Sequence, residues 1–270
     1  NTARTELAGA GTQTAGLAFG GTTSTTITET YNGTSWTEVN DMNTGRDNLA
    51  GAGTQTSALG FGGSVPSPAS ALTETWNGTN WTEVNDLNTA RVRLSGLGAS
   101  NTSALAFGGK VAAPPTSSAL TETWNGTNWT EVNDLNNARK RSGTAGIVTA
   151  ALAFGGEIPP GTGATELFNG TNWTEVNDLN TVRLALAGCG TSTAALGFGG
   201  YAPSPPGYTG ATELWNGTNW SSQNNLNTGR GYLAGAGTST AGLTFGGRSP
   251  PITAATEEWN DPGTIIKTIT

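Results

Sequence analysis

Short apolar runs alternate with polar turns along the whole chain, and this pattern returns six times. In the fifth copy, the apolar runs cover residues 184–190, 194–198, 211–215 and 220–224, and each run is too short for a helix. Gly-Thr-Ser-Thr at 190–193 makes the turn at the end of the first run, and Asn216-Gly217, a strong hairpin signal, follows the third. Each copy is therefore predicted to form four short antiparallel strands.

Six consecutive repeat units cover the whole sequence. Phe-Gly-Gly occurs six times, an Arg recurs in step with it, and the phrase at 76–91 returns at 124–139 with one substitution. Cutting before the Asn that stands three residues ahead of each Arg gives units 1–42, 43–87, 88–135, 136–179, 180–226 and 227–270. Units of this length are typical of repeat architectures, so we expect a single domain over residues 1–270.

The sizes of the residues within a unit predict how the units assemble. The first strand holds mostly small residues, which fit where strands crowd around an axis, whereas the third and fourth strands carry Trp, which fills wider gaps. We expect an all-β, six-bladed β-propeller with four antiparallel strands per blade. A β-solenoid is the alternative, although it usually has shorter repeats without these hairpin turns. Because an inner strand comes first and an outer strand last, no strand exchange is expected between the first and last blades.

A family resemblance follows from these positions. The second unit is similar to a kelch repeat at Arg46, Gly62, Gly63, Trp76 and Trp81. The resemblance extends over essentially the whole chain and implies a six-bladed kelch-type propeller. Kelch repeats usually have Tyr where this chain mostly has Trp, and Tyr31 keeps it. The last unit departs further, with Ile265 near the place of the second Trp and a different turn at 260–263.

Composition narrows the possible functions. The net charge is −7, and the three Lys and nine Arg are spread out, which argues against a nucleic-acid partner. The chain has no His, the commonest general base and metal ligand, so we expect no metal and no cofactor. No apolar run approaches the ~18 residues of a membrane helix, so membrane insertion is not expected. Cys189 stands where other units mostly have Ala and is expected to be a small core residue.

Two charged positions recur in every unit and are interpreted as structural. One Glu before the third-strand aromatic matches each recurring Arg, which favours a partly buried ion pair in each blade or at each blade junction. The alternative is a ring of six Arg near the central channel that binds an anion. The recurring residues are Arg4, Arg46, Arg91, Arg139, Arg183 and Arg230, with Glu29, Glu74, Glu122, Glu166, Glu213 and Glu257.

Positions that differ between units are the candidates for function. They cluster after Gly-Gly and in the two residues after each recurring Arg, which are Thr5-Glu6 in the first unit and Leu184-Ala185 in the fifth. Strand alternation is expected to place both regions on one face of the disk, opposite a nearly invariant face of Gly-Thr-Ser-Thr and Asn-Gly-Thr turns. The candidate ligand-binding residues are Asp47, Asn48, Arg93, Lys110, Lys140, Arg141, Glu157, Tyr201, Tyr208, Tyr232 and Arg248.

A constant scaffold with variable loops favours a non-enzymatic recognition or structural module. The repeated phrase also resembles repeats in virion proteins of marine tailed phages, which implies a place on a tail appendage, a capsid surface or another extracellular surface. The partners then expected are other virion or surface proteins and host-surface glycans. Two alternatives stay open. One is an assembly protein without a ligand, and the other is a sialidase- or oxidase-like enzyme that uses the central channel, although no convincing acid–base pair breaks the sixfold pattern.

Overall fold

The chain folds into a six-bladed β-propeller, as the repeat predicts. The structure, a computed structural model, describes residues 2–22, 26–65, 68–112, 116–261 and 267–269. Each blade is a four-stranded antiparallel sheet whose strands follow one another in chain order from the axis outward. The first strand of each blade contacts the first strands of both neighbouring blades, so six inner strands surround a central channel.

Each blade lies within one repeat unit of the sequence. Blades 1 to 3 comprise β1 (Ala8–Thr12), β2 (Ala15–Phe19), β3 (Thr28–Tyr31) and β4 (Trp36–Val39); β5 (Ala50–Thr54), β6 (Ser57–Phe61), β7 (Thr73–Trp76) and β8 (Trp81–Val84); and β10 (Ser95–Ser100), β11 (Ser103–Phe107), β13 (Thr121–Trp124) and β14 (Trp129–Val132). Blades 4 to 6 comprise β15 (Gly143–Ile147), β16 (Ala150–Phe154), β17 (Thr165–Phe168) and β18 (Trp173–Val176); β19 (Ala187–Gly190), β20 (Ala195–Phe198), β23 (Thr212–Trp215) and β24 (Trp220–Gln223); and β25 (Ala234–Gly237), β26 (Ala241–Phe245), β27 (Thr256–Asn260) and β28 (Lys267–Ile269).

Within the described residues, two additional strand pairs lie outside the blades, in connections expected to be loops. One pairs β9 (Arg91–Val92) with β12 (Lys110–Val111), and the other is a hairpin of β21 (Tyr201–Pro203) and β22 (Pro206–Tyr208). Proline is compatible with such short edge strands because no further strand needs its missing N–H group.

The ring closes without strand exchange, since β28 pairs with β27 of its own blade. Contacts between blades 1 and 6 make the closure instead. The Trp36 ring packs 4.8 Å from the Phe245 ring and its Nε1 donates to Thr256 Oγ1 at 2.9 Å. The backbone N–H of Gly247 donates to the carbonyl of Arg4 at 2.8 Å. The first and last blades are thus held by the same kinds of contact as the other neighbours.

The fourth-strand Trp joins each blade to the one before it. Trp81 packs against Phe19 with ring centroids 4.8 Å apart, and its Nε1 donates to Thr28 Oγ1 at 2.9 Å. Both partners belong to the preceding blade, so the indole fills the gap that opens between blades away from the axis. The same contacts recur at Trp36, Trp129, Trp173 and Trp220. The sixth-blade departure at Ile265 lies outside the described residues.

The recurring Arg and Glu form one buried ion pair within each blade. Arg46 Nη2 lies 2.9 Å from Glu74 Oε1, and Arg46 Nη1 donates to the carbonyls of Gly62 and Leu72. The pairs are Arg4–Glu29, Arg46–Glu74, Arg91–Glu122, Arg139–Glu166, Arg183–Glu213 and Arg230–Glu257. All six Arg are at most 1% exposed. The alternative of an anion-binding Arg ring at the channel is therefore wrong, because each guanidinium is enclosed within its blade and faces a carboxylate.

Candidate functional site

The two variable regions lie side by side on one face of the disk. The residue after a recurring Arg pairs, as in a β-bridge, with the residue after Gly-Gly in the same blade. These pairs are Asp47 with Ser64, Val92 with Lys110, Lys140 with Glu157, Leu184 with Tyr201, and Gly231 with Arg248. The pairing arises because the chain returns towards the axis over this face and meets the end of the second strand. The one-face arrangement expected from strand alternation is confirmed.

A closed ring of backbone hydrogen bonds surrounds the channel mouth on this face. The second residue after each recurring Arg donates its N–H to the carbonyl of its counterpart in the adjacent blade, at 2.8 to 3.1 Å. We call these residues the mouth ring. Its members, in blade order, are Glu6, Asn48, Arg93, Arg141, Ala185 and Tyr232. Because the backbone closes the ring, all six side chains are free to differ.

Every member of the mouth ring has a left-handed backbone, with φ between 52° and 60°. All other described residues with positive φ are glycines, so the chain uses Gly wherever this conformation is needed elsewhere. A side chain in the left-handed region costs roughly 1–2 kcal/mol per residue, which glycine avoids. Six non-glycine residues at one channel mouth therefore retain side chains at a conformational cost, a pattern associated with functional positions.

The mouth-ring side chains differ in charge around the circle. Arg141 reaches past the small Ala185, and its guanidinium carbon lies 4.9 Å from the centre of the Tyr232 ring. Arg141 Nη1 also lies 2.9 Å from Glu157 Oε2. On the opposite side, burial raises the pKa of Glu6, and the neighbouring Asp47 adds to the effect. The mouth is therefore cationic and aromatic on one side and acidic on the other.

The other predicted binding residues lie one step outside the mouth ring. Lys140 Nζ lies 2.9 Å from Glu157 Oε1. Burial opposes ionisation of Glu157, but the positive charges and hydrogen bonds of Lys140 and Arg141 outweigh the effect of burial, so the pKa of Glu157 is lowered. The Tyr201 and Tyr208 rings meet edge to face across the β21–β22 hairpin, 5.5 Å apart.

The remaining predicted residues also flank the mouth. Asp47 accepts from Asn48 Nδ2 at 3.0 Å, and Lys110 and Arg248 occupy the same bridging position as Glu157 in their own blades. Of the eleven predicted residues, the structure brings Asn48, Arg93, Arg141 and Tyr232 into the cavity lining. Glu6 and Ala185 also line it; the sequence signalled them only as members of variable pairs.

A collar of leucines lies directly beneath the mouth ring. Five blades place Leu there, and blade 4 places Ser142. Ser142 Oγ lies 2.8 Å from Ser95 Oγ of blade 3, in the channel wall below. The collar leucines are Leu7, Leu49, Leu94, Leu186 and Leu233. One sector of the channel, below the two arginines of the mouth ring, is therefore polar.

The opposite face is built from repeated turns. In blade 2, Asn77 Oδ1 accepts from the backbone N–H groups of Thr79 and Asn80, both at 2.9 Å. Asn40 of blade 1 donates to Asn80 Oδ1, and equivalent bonds link three further pairs of neighbouring blades. The repeated Asn residues of this face thus have structural roles within and between the turns.

The described residues contain no group of three or more His, Cys, Asp or Glu side chains placed to hold a metal ion. Cys189 is buried on β19, and burial raises the pKa of its thiol to about 12, so the thiolate is strongly disfavoured. No helix in the described ranges is long and apolar enough to cross a membrane.

Comparison with known proteins supports the fold. No family model and no curated protein matches this sequence. The structure is similar to the solved structure of YjhT, with a TM-score of 0.84 and 12% sequence identity, over 99% of this chain and 97% of that chain. At that identity, the similarity shows the shared six-bladed propeller and carries no information about the ligand.

Proposed function

We propose that this chain is a non-enzymatic, kelch-type recognition module. It binds a glycan or protein partner through the face that carries the mouth ring. The observation that supports this proposal is that variable positions from all six blades meet at one channel mouth. Six of the residues there keep side chains although their backbone conformation favours glycine. A rigid scaffold with individual side chains at one opening is the usual form of a binding site.

The contrast between the two faces supports the same proposal. The turn face repeats its residues and its hydrogen bonds from blade to blade, as assembly of the disk requires. The mouth face repeats only its backbone geometry, while its side chains include acids, cations, an amide and an aromatic ring. The resemblance of the repeated phrase to tailed-phage virion repeats supports the further proposal that the module belongs to a virion or another extracellular surface.

A glycan-array and virion-protein binding screen tests the proposal. The wild-type chain is compared with a triple variant, Arg93→Gly, Arg141→Gly and Tyr232→Gly, which suits the left-handed backbone and empties the mouth. The matched control is Thr79→Ala with Thr127→Ala, two exposed residues of the turn face. We expect the mouth variant to lose partner binding and the control to retain it. Equal binding by both variants would overturn the proposal.

A further inference from the structure

We propose that the channel mouth binds an anionic sugar, with the carboxylate or sulfate group of the sugar between Arg93 and Arg141. This inference rests on the proposed recognition function and names the ligand class for that site.

The distribution of cations gives the first argument. Apart from the six buried arginines and Lys267 in the last strand, every Lys and Arg of the chain occupies a variable position beside the mouth. These five cations are Arg93, Lys110, Lys140, Arg141 and Arg248. Three carboxylates share those positions: Glu6, Asp47 and Glu157. A chain with a net charge of −7 thus carries a local excess of positive charge at one opening, which attracts anions.

The hydrogen-bonding state of the two mouth arginines gives the second argument. Among the described residues, the Arg93 side chain has no ion pair or hydrogen bond, and its Nε is buried without an acceptor. The Nε of Arg141 is likewise buried without an acceptor, while its Nη1 is held by Glu157. A buried donor without an acceptor is unfavourable, because it has lost its hydrogen bond to water and gained none in the protein. Five of the six recurring arginines also have a buried Nε without an acceptor, so the distinguishing groups are the Nη atoms of Arg93, which lines the cavity and has no side-chain partner among the described residues. An oxyanion between the two guanidiniums would supply acceptors for them, and the planar fork of Arg suits it.

The polar sector of the channel gives a third, independent argument. Ser95 and Ser142 replace apolar or glycine residues of the other blades and lie below these two arginines. The Ser95 hydroxyl already donates to the Ser142 carbonyl at 3.0 Å, so Ser142 is the one of the two whose hydroxyl proton can turn towards an oxyanion that reaches past the mouth ring. About 90 Å³ is open at the level of the ring, room for several waters at roughly 10–15 Å³ each or for one end of a small ligand.

The rest of the mouth favours a sugar over a peptide. Tyr232 offers an aromatic face beside Arg141, while Glu6 and Asn48 offer acceptors and a donor for hydroxyl groups on the other side. A peptide would seek an apolar anchoring pocket or an open sheet edge, whereas the collar leucines beneath the ring are only 5% to 8% exposed and offer little apolar surface. The described residues include two exposed large hydrophobic side chains, Ile147 and Val182, and neither lines the mouth.

Calorimetric titration of the full chain tests this inference with three probes: glucuronate, glucose 6-sulfate and glucose. We expect at least one anionic sugar to bind at least tenfold more tightly than glucose. Arg93→Gly should weaken that binding at least tenfold while the folded circular-dichroism spectrum is retained. Lys267→Gln is the charge-matched control, because it removes one positive charge in the last strand, outside the variable positions beside the mouth, and it should weaken binding less than threefold.

Other outcomes would overturn the inference. Equal losses in the two variants would show general electrostatic attraction instead of a site. Binding of glucose as tight as that of the anionic sugars, or no binding of either anionic sugar, would rule out the proposed ligand class. Mouth-dependent binding of a neutral glycan in the array would refute this inference and leave the recognition function standing. Array binding that the triple mouth variant retains would refute both.

Discussion

The cost of the left-handed mouth ring can be measured with one pair of substitutions. Ala185 belongs to the ring, with φ 54°, whereas Ala187 lies two residues later in β19 and does not have a positive φ. Both side chains are 6% exposed, so each loses a comparable buried methyl group when changed to Gly. The two substitutions are therefore matched in chemistry and burial and differ in the backbone conformation that they occupy.

The magnitudes follow from three contributions. Removing a buried methyl group costs about 0.8 kcal/mol. The greater freedom of Gly in the unfolded chain costs a further ~0.5–1 kcal/mol. Ala187→Gly should therefore lower the free energy of unfolding by about 1.5 kcal/mol, from these two contributions. Ala185→Gly also relieves the left-handed strain of roughly 1–2 kcal/mol, so its net effect should be close to zero.

Urea unfolding, followed by Trp fluorescence and circular dichroism, compares the two variants under identical conditions. Nine Trp, most of them at blade interfaces, report the loss of packing between blades. We expect Ala185→Gly to unfold near the wild-type midpoint and Ala187→Gly at a clearly lower urea concentration. Equal destabilisation by both would show that the ring conformation is unstrained, and the argument that its side chains are kept for function would fail.

Three further results are expected. Arg91→Met should lower the free energy of unfolding by roughly 3–5 kcal/mol, because Glu122 is left charged and buried. Arg248→Met is the control at an exposed position, and it should change the free energy of unfolding little. Cys189 should not react with a thiol reagent at pH 8 until the chain is unfolded, because burial raises its pKa to about 12; fast reaction of the native protein would contradict this. Glu6→Gln should stabilise the protein at pH 7, because the raised pKa of Glu6 makes its ionised form unfavourable in the folded state. This gain in stability should disappear below about pH 4.5, where wild-type Glu6 is protonated. A gain that does not depend on pH would contradict the charge argument.

The strand pattern of each blade was predictable because its causes are local. Alternating apolar residues and Asn-Gly turns gave the four runs of blade 5, and β20, β23 and β24 lie within the predicted runs. The predicted first run, 184–190, begins three residues before β19. Residues 184–186 form part of the mouth instead, where Ala185 adopts its left-handed conformation. The β21–β22 hairpin was missed, since its Pro-rich sequence resembles a loop.

The sequence predicted which residues belong to the candidate site, but it did not predict how they are arranged. Comparison of the six units marked the variable positions, because constant residues serve the blade and the rest are free to differ. The residue types of Glu6, Arg93 and Tyr232 do not predict a positive φ, because all other described residues with a positive φ outside the mouth ring are glycines. The ring conformation depends on hydrogen bonds between counterparts in neighbouring blades, so it exists only when the disk has closed.

The sequence alone determined the number of blades, their four strands and the separation of constant from variable positions, because these follow from repetition and short-range periodicity. Tertiary structure decided which variable residues meet. Ring closure brings together side chains about one repeat apart, places Ala185 between Arg141 and Tyr232 so that the guanidinium reaches the aromatic ring, and puts Ser142 beneath the arginines. These neighbours are set by the common axis of the six blades, and position along the chain does not specify them.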